Sequence, residues 1–209
     1  KPAPSDKPPA KDRPAVADHE KPGTVESIVL RGNASASHPS ILTGDTVRFH
    51  MKWPVQSYAN MTVSLFGSGN RKDESSTHVS FSLMQTNLQV LDRLPPQNQM
   101  FFRGFGGQNA EEIIRAASGE VDVQLVARDG NLLVSIDGKQ VKTIKLNPDG
   151  AGSKGLAFNA NVTMTGRVIM NGMVQQSNGD GVEISKFEID NMSGASIRQF
   201  IEEEARLAT

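Results

Sequence analysis

Residues 121–146 read "VDVQLVARDGNLLVSIDGKQVKTIKL". Val121, Val123 and Leu125 alternate with polar residues, Val134 and Ile136 do the same, and Val141, Ile144 and Leu146 follow. Two Asp-Gly pairs, Asp129-Gly130 and Asp137-Gly138, separate the three runs. Asp-Gly between alternating runs is the strongest short-range hairpin signal, because a two-residue type I′ turn needs positive φ at both central positions. The stretch therefore predicts three antiparallel strands in series.

The same period of two extends outward along the chain. "TVESIVL" (residues 24–30) comes first, then "DTVRFHMKW" (45–53), with Val47, Phe49, Met51 and Trp53 on one side and Arg48, His50 and Lys52 on the other. Pro54 ends that strand, since it has no amide to give a ladder. "MTVSLF" (61–66) places Val63 and Leu65 inward, and "HVSFSLMQ" (78–85) places Val79, Phe81 and Leu83 inward. The polar "GSGNRKDESST" (67–77) between them suits a hairpin loop. "MFFRGFGG" (100–107), "LAFNANVTM" (156–164) and "RVIMNGMV" (167–174) complete about ten strands with a turn every eight to twelve residues. That spacing predicts an all-β, antiparallel two-sheet sandwich. One short helical turn is expected at "NAEEIIRAASG" (109–119), capped by Asn109 and closed by Gly119.

Both ends change character. Residues 1–23 hold six of the 11 prolines and one apolar residue larger than Ala, Val16. Such a segment buries too little to offset the entropy of ordering it, so it is expected as a disordered arm; a proline-rich ligand for an SH3-type groove is the sharper alternative. Residues 24–175 form the expected sandwich. Residues 176–209 form an extension, with "VEISKFEID" (182–190) as an extra strand. "SGASIRQFIEEEARLAT" (193–209) is expected as a helix whose stripe is Ile197, Phe200, Ile201 and Ala205.

Composition bounds the chemistry. The 22 Lys and Arg against 23 Asp and Glu give a net charge of −1, which supplies no field for nucleic acid. The absence of cysteine excludes disulfides, thiol nucleophiles and Cys-type zinc sites. No run of 18 apolar residues occurs, so no helical membrane insertion is expected. The chain begins at Lys1 without Met, which fits either a processed mature protein or an expressed fragment, and is compatible with removal of a signal peptide.

Of the four histidines, His19, His38, His50 and His78, no two have metal-ligand spacing. The Gly-rich "RGFGGQN" (103–109) matches neither phosphate motif, and Glu111 and Glu112 would repel an anion there. Asn33, Asn60, Asn161 and Asn191 each open an Asn-x-Ser/Thr triplet, which permits glycosylation without showing it. No carboxylate pair sits in an apolar surround, so the chain is expected not to be an enzyme, and to need no cofactor or metal.

The succession "LTGDTVRFHMKW", "ANMTVSLFGSG", "HVSFSLMQTN" and "GEVDVQLVARDGNLLVSIDGKQVKTI" resembles the galectin-like carbohydrate-recognition domain over about residues 24–175. The resemblance implies a strand bearing His, Asn and Arg for the sugar, an Asn on the next strand, and a Trp-Gly-x-Glu-x-Arg ending. At the matching positions stand Ser82, Met84 and Thr86, then Phe102-Arg103-Gly104, then Phe105 with Glu111, Glu112 and Arg115. Losing three polar partners should abolish the usual sugar-binding mode, because the sugar hydroxyls are left desolvated and unpaired.

A galectin-like frame without those ligands, with a Pro-rich arm and a C-terminal helix, looks like the galectin-like domain of an apicomplexan microneme protein. That likeness implies a secreted accessory subunit that binds the extracellular part of a membrane-anchored, thrombospondin-repeat adhesin. It would support the adhesin's trafficking and host-cell invasion from the secretory pathway. Met84, Thr86, Phe102, Arg103 and Phe105 are then the expected partner-binding residues, although Phe102 or Phe105 serves equally well as core. A lectin reading other sugars through Arg103, and a self-assembling coat jelly roll, are the alternatives.

Overall fold

The structure is a computed structural model and describes residues 27–69, 73–92, 112–164, 181–189, 192–193 and 201–204. The expected arm, the "MFFRGFGG" and "RVIMNGMV" strands, Asn109, Asn191 and most of the expected C-terminal helix lie outside these residues. Within them the chain is all-β: two antiparallel sheets packed as a sandwich.

The chain enters through β1 (Ile28–Arg31), β2 (Asn33–His38), β3 (Thr46–Lys52) and β4 (Ser57–Gly67). It continues through β5 (Thr77–Met84), β6 (Asn87–Leu91), β7 (Ile114–Arg115), β8 (Glu120–Arg128), β9 (Asn131–Ile136) and β10 (Lys139–Lys145). Then follow β11 (Gly155–Met164), β12 (Gly181–Ile189), β13 (Met192–Ser193) and β14 (Ile201–Glu204). Sheet I has the order β1-β12-β3-β8-β9-β10, with β13 on β12; sheet II has the order β14-β2-β11-β4-β5-β6-β7.

The decisive stretch folds as expected. Asp129 (φ 51) with Gly130 (φ 73), and Asp137 (φ 49) with Gly138 (φ 78), have the positive φ pairs of type I′ turns joining β8, β9 and β10. Val121, Val123, Leu125, Val134 and Ile136 are buried. On β3 the alternation holds too, with Val47, Phe49 and Met51 buried and Trp53 buried just beyond the strand.

The core lies between the sheets. Phe158 of sheet II inserts between Phe49 and Phe187 of sheet I, edge-on to both, with centroid separations of 5.4 and 5.9 Å. All three rings are 2% exposed or less. Edge-to-face geometry sets the positive ring edge on the negative face, which adds to the burial of large apolar area.

Four expectations need correction. The capped turn expected at 109–119 is not helical where described: Ile114 and Arg115 pair with Leu88 and Asn87 as β7, because the edge of β6 offers them ladder partners. The strand following β5 is β6, not one at Phe102, and Thr86 lies in the two-residue Gln85-Thr86 turn before it. Residues 201–204, expected as helix, pair with β2 as β14, since tertiary pairing overrides a short stripe of marginal helix stability. Finally, β12 is no appendage. It lies between β1 and β3, so sheet I reaches beyond residue 175.

A bulge makes β12 fit. Lys186 takes φ 49 where the register slips between Ser185 and Glu188. The extra residue resets the alternation, so that Ile184 and Phe187 both face the core while Ser185 and Lys186 do not.

Candidate functional site

The two outer faces differ in charge. Where β12, β3 and the start of β8 adjoin on sheet I, the outward side chains are largely ionic and opposite in sign across strands: Lys52 is the register partner of both Glu183 and Glu120, and Arg48 lies 3.9 Å from Glu188. His50 sits between carboxylates, with Nδ1 2.8 Å from Asp122 Oδ1 and Nε2 3.7 Å from Glu120. Opposite charges facing each other across strands are the ordinary dress of a solvated sheet.

Sheet II is different. Its strands β2, β11, β4, β5 and β6 contain no Asp, Glu, Lys or Arg at all, in a chain that carries 45 such residues, 22 basic and 23 acidic. Across these five strands two central rows are carboxamides and hydroxyls brought into register. One is Asn33, Asn161, Asn60, Ser82 and Gln89; the next is Ser35, Asn159, Thr62 and Ser80, continued at its ends by Glu203 of β14 and Leu91 of β6. Asn33 and Asn161 are exposed, Asn60 and Ser82 half-buried and Gln89 buried. Thr62 and Ser80 share a 2.8 Å hydrogen bond.

Asn159 supplies an oddity in the second row: its Oδ1 is buried and accepts no hydrogen bond. Such an orphan costs about 1–3 kcal/mol until a donor reaches it.

At one end of the face His78 Nδ1 lies 2.8 Å from Ser64 Oγ. Burial pushes the His78 imidazole below its ordinary value, against the opposing pull of the Asp73 carbonyl and charge. The Asp73 carboxylate is itself held far below the usual range, chiefly by the Ser75 hydroxyl and then by the Ser68 amide. A hydroxyl beside an oriented base has the form of a nucleophile pair. Ser64 is only 2% exposed, however, which closes its hydroxyl to a substrate.

At the other end, Tyr58, Met84, Asn87 and Arg115 form a row of mixed character. Of the expected partner-binding residues, Met84 is here, half-buried, and Thr86 is in the adjoining turn, where its carbonyl accepts the Ala116 amide at 2.7 Å. Phe102, Arg103 and Phe105 lie outside the described residues. Trp53 faces the core and not this surface, and its Nε1 donates to the Gln85 carbonyl at 2.7 Å. No group of three or more His, Asp or Glu among the described residues is arranged to hold a metal.

The uncharged rows escaped the sequence reading because they are a property of register. The signal available was compositional: strands without any ionic residue.

No protein-family model and no curated protein matches the chain. Solved structures do. A laminarinase catalytic domain from Thermotoga maritima MSB8 is 9% identical with a TM-score of 0.42, over 70% of this chain and 62% of that one. Sheep galectin-11 is 10% identical with a TM-score of 0.33, over 71% and 97%. Bacillus licheniformis β-glucanase is 10% identical with a TM-score of 0.41, over 81% and 92%. Likeness at this level concerns the sandwich fold alone and assigns no activity. It does correct one expectation: the chain is not to be set down as a non-enzyme, since sandwiches similar to it include glycoside hydrolases.

Proposed function

We propose that the outer face of sheet II is a lectin-like surface for neutral carbohydrate, on a sandwich of galectin-like jelly-roll type. The observation that carries this reading is the row Asn33, Asn161, Asn60 and Ser82, with no ionic residue on the strands that bear it. Carboxamides offer both donors and acceptors, and hydroxyls can turn to suit either role, so such a row can read sugar hydroxyls directionally. A charged ligand would lose hydration without gaining a counter-ion on these strands.

The test is a glycan array of neutral and anionic saccharides, followed by amide shift mapping with a neutral hit. Shifts on β11, β4 and β5, lost in Asn161→Ala and weakened in Ser82→Ala, are the expected result. No neutral saccharide bound at millimolar concentration, or shifts confined to sheet I, would overturn the reading.

A second reading keeps the adhesin-associated accessory subunit of the secretory pathway implied by the sequence resemblance. It is favoured by the Tyr58, Met84, Asn87 and Arg115 row, whose aromatic, thioether and guanidinium groups suit a polypeptide. Loss of a captured membrane-anchored partner in Met84→Asp, with glycan binding unchanged, would separate the two.

A further inference from the structure

Three of the four Asn-x-Ser/Thr triplets start in the same row of sheet II. Asn33 opens Asn33-Ala34-Ser35 on β2, Asn161 opens Asn161-Val162-Thr163 on β11, and Asn60 opens Asn60-Met61-Thr62 on β4. Asn161 is the direct register partner of both others. Adjacent strands lie about 4.8 Å apart, so the three acceptors fall within about 10 Å.

Their surroundings differ. Asn60 is half-buried mid-strand, hemmed by β11 and β5. Asn161 is exposed, but β2 and β4 flank it on both sides. Asn33 is exposed at the first position of β2, directly after Gly32 (φ 58), and among the described residues the pairing of β14 reaches no further than Ala34. The row thus has one open corner.

We propose that Asn33 is an N-glycan acceptor, and that the glycan attached there lies across the uncharged row and masks it. In the attachment, Asn33 Nδ2 bonds to C1 of the transferred sugar while the C1–O bond to a lipid-linked pyrophosphate donor breaks; the amide proton leaves and the pyrophosphate departs with the electron pair. The modification stands on Asn33 alone. The masking rests on the proposed reading of the same face as a carbohydrate surface: rows that accept a free saccharide also accept a tethered one, and tethering raises its effective concentration to the millimolar range. An attached glycan then acts as a competitor that free ligand must displace.

The experiment secretes the whole chain, as Asn191→Gln to remove the fourth triplet, from a host that attaches N-glycans. Glycopeptide mass mapping should place a glycan on Asn33 and leave Asn60 bare. The same chain made in a host that attaches no N-glycans, and so keeping the Asn33 carboxamide, should bind the neutral hit tenfold or more tightly than the glycosylated form. An unmodified Asn33 beside a glycosylated co-secreted control overturns the acceptor assignment, as does a glycan on Asn60. Equal affinity of the glycosylated and unglycosylated forms overturns the masking. If the unglycosylated protein binds no neutral saccharide, the carbohydrate reading itself fails, while the acceptor assignment is judged by mass alone.

Discussion

The indole of Trp53, at the end of β3 in sheet I, donates to the Gln85 carbonyl in the β5–β6 turn of sheet II. The Trp53 amide also donates to Gly119 just before β8, and the Gln85 amide reaches back to Ser57. One buried side chain therefore ties both sheets to the turn that carries Thr86, next to the candidate face. Gln85 holds φ 54 there, a conformation that needs support in a residue with a Cβ. Trp53→Phe keeps most of the apolar volume and removes the donor. It should cost about 1–3 kcal/mol, read as a lowered urea midpoint with unchanged slope.

Because Trp53 is the single tryptophan and is buried, native fluorescence should be blue-shifted and indifferent to saccharide on sheet II. Quenching by a neutral sugar without unfolding would place the ligand elsewhere.

Phe158 packs edge to face with the rings of both Phe49 and Phe187. Phe158→Leu keeps apolar character but gives up two edge-to-face pairs, each about 0.5–1.5 kcal/mol. Stability should fall by about 1–3 kcal/mol, and a double-mutant cycle with Phe49→Leu should give a coupling of the single pair's size.

His78 sets a pH dependence whose sign is fixed by its environment. Its folded pKa is lowered, so below the ordinary value of about 6.5 the unfolded chain takes up protons that the folded chain refuses. That contribution to stability is present above about pH 6.5 and lost as pH falls through the folded value. His78→Gln should flatten this part of the stability profile. Asp73, also depressed, acts in the same direction at lower pH, with its contribution lost below about pH 4. A profile for His78→Gln that parallels the native one would count against this account.

Lys186 holds positive φ in the β12 bulge. A β-branched side chain tolerates that conformation worst, whereas glycine bears no Cβ penalty. Lys186→Val should be less stable than Lys186→Gly by about 1–2 kcal/mol, measured by urea unfolding of both.

Local chemistry was readable from the residues; distant pairing was not. The two Asp-Gly turns carry their φ requirement within two residues, so β8, β9 and β10 were legible with their inward sides. β6 does alternate, as Asn87-Leu88-Gln89-Val90, but only Gln85-Thr86 separates it from β5, with no Gly or Pro to mark the turn. β12 was expected as a strand, but the bulge at Lys186 breaks its period and hid its place inside sheet I. β7 and β14 were read as helical from the Asn109 cap with its Gly119 stop and from the Ile197-Phe200-Ile201 stripe, because their strand character comes from edges of β6 and β2 far away in the chain. The candidate face was half visible: Ser82 and Met84 lay on the strand expected for a sugar site, but Asn33, Asn60 and Asn161 meet only through register.

Five adjacent strands without ionic residues have a liability away from the native state. Gatekeeper charges beside apolar strands keep unfolded chains from stacking on one another, and β4, with Met61, Val63, Leu65 and Phe66 in one continuous strand, has none within it. Heating or slow refolding at high concentration should therefore end in aggregation that begins in sheet II, leaving the lysine-bearing β10 edge of sheet I as the better-protected border.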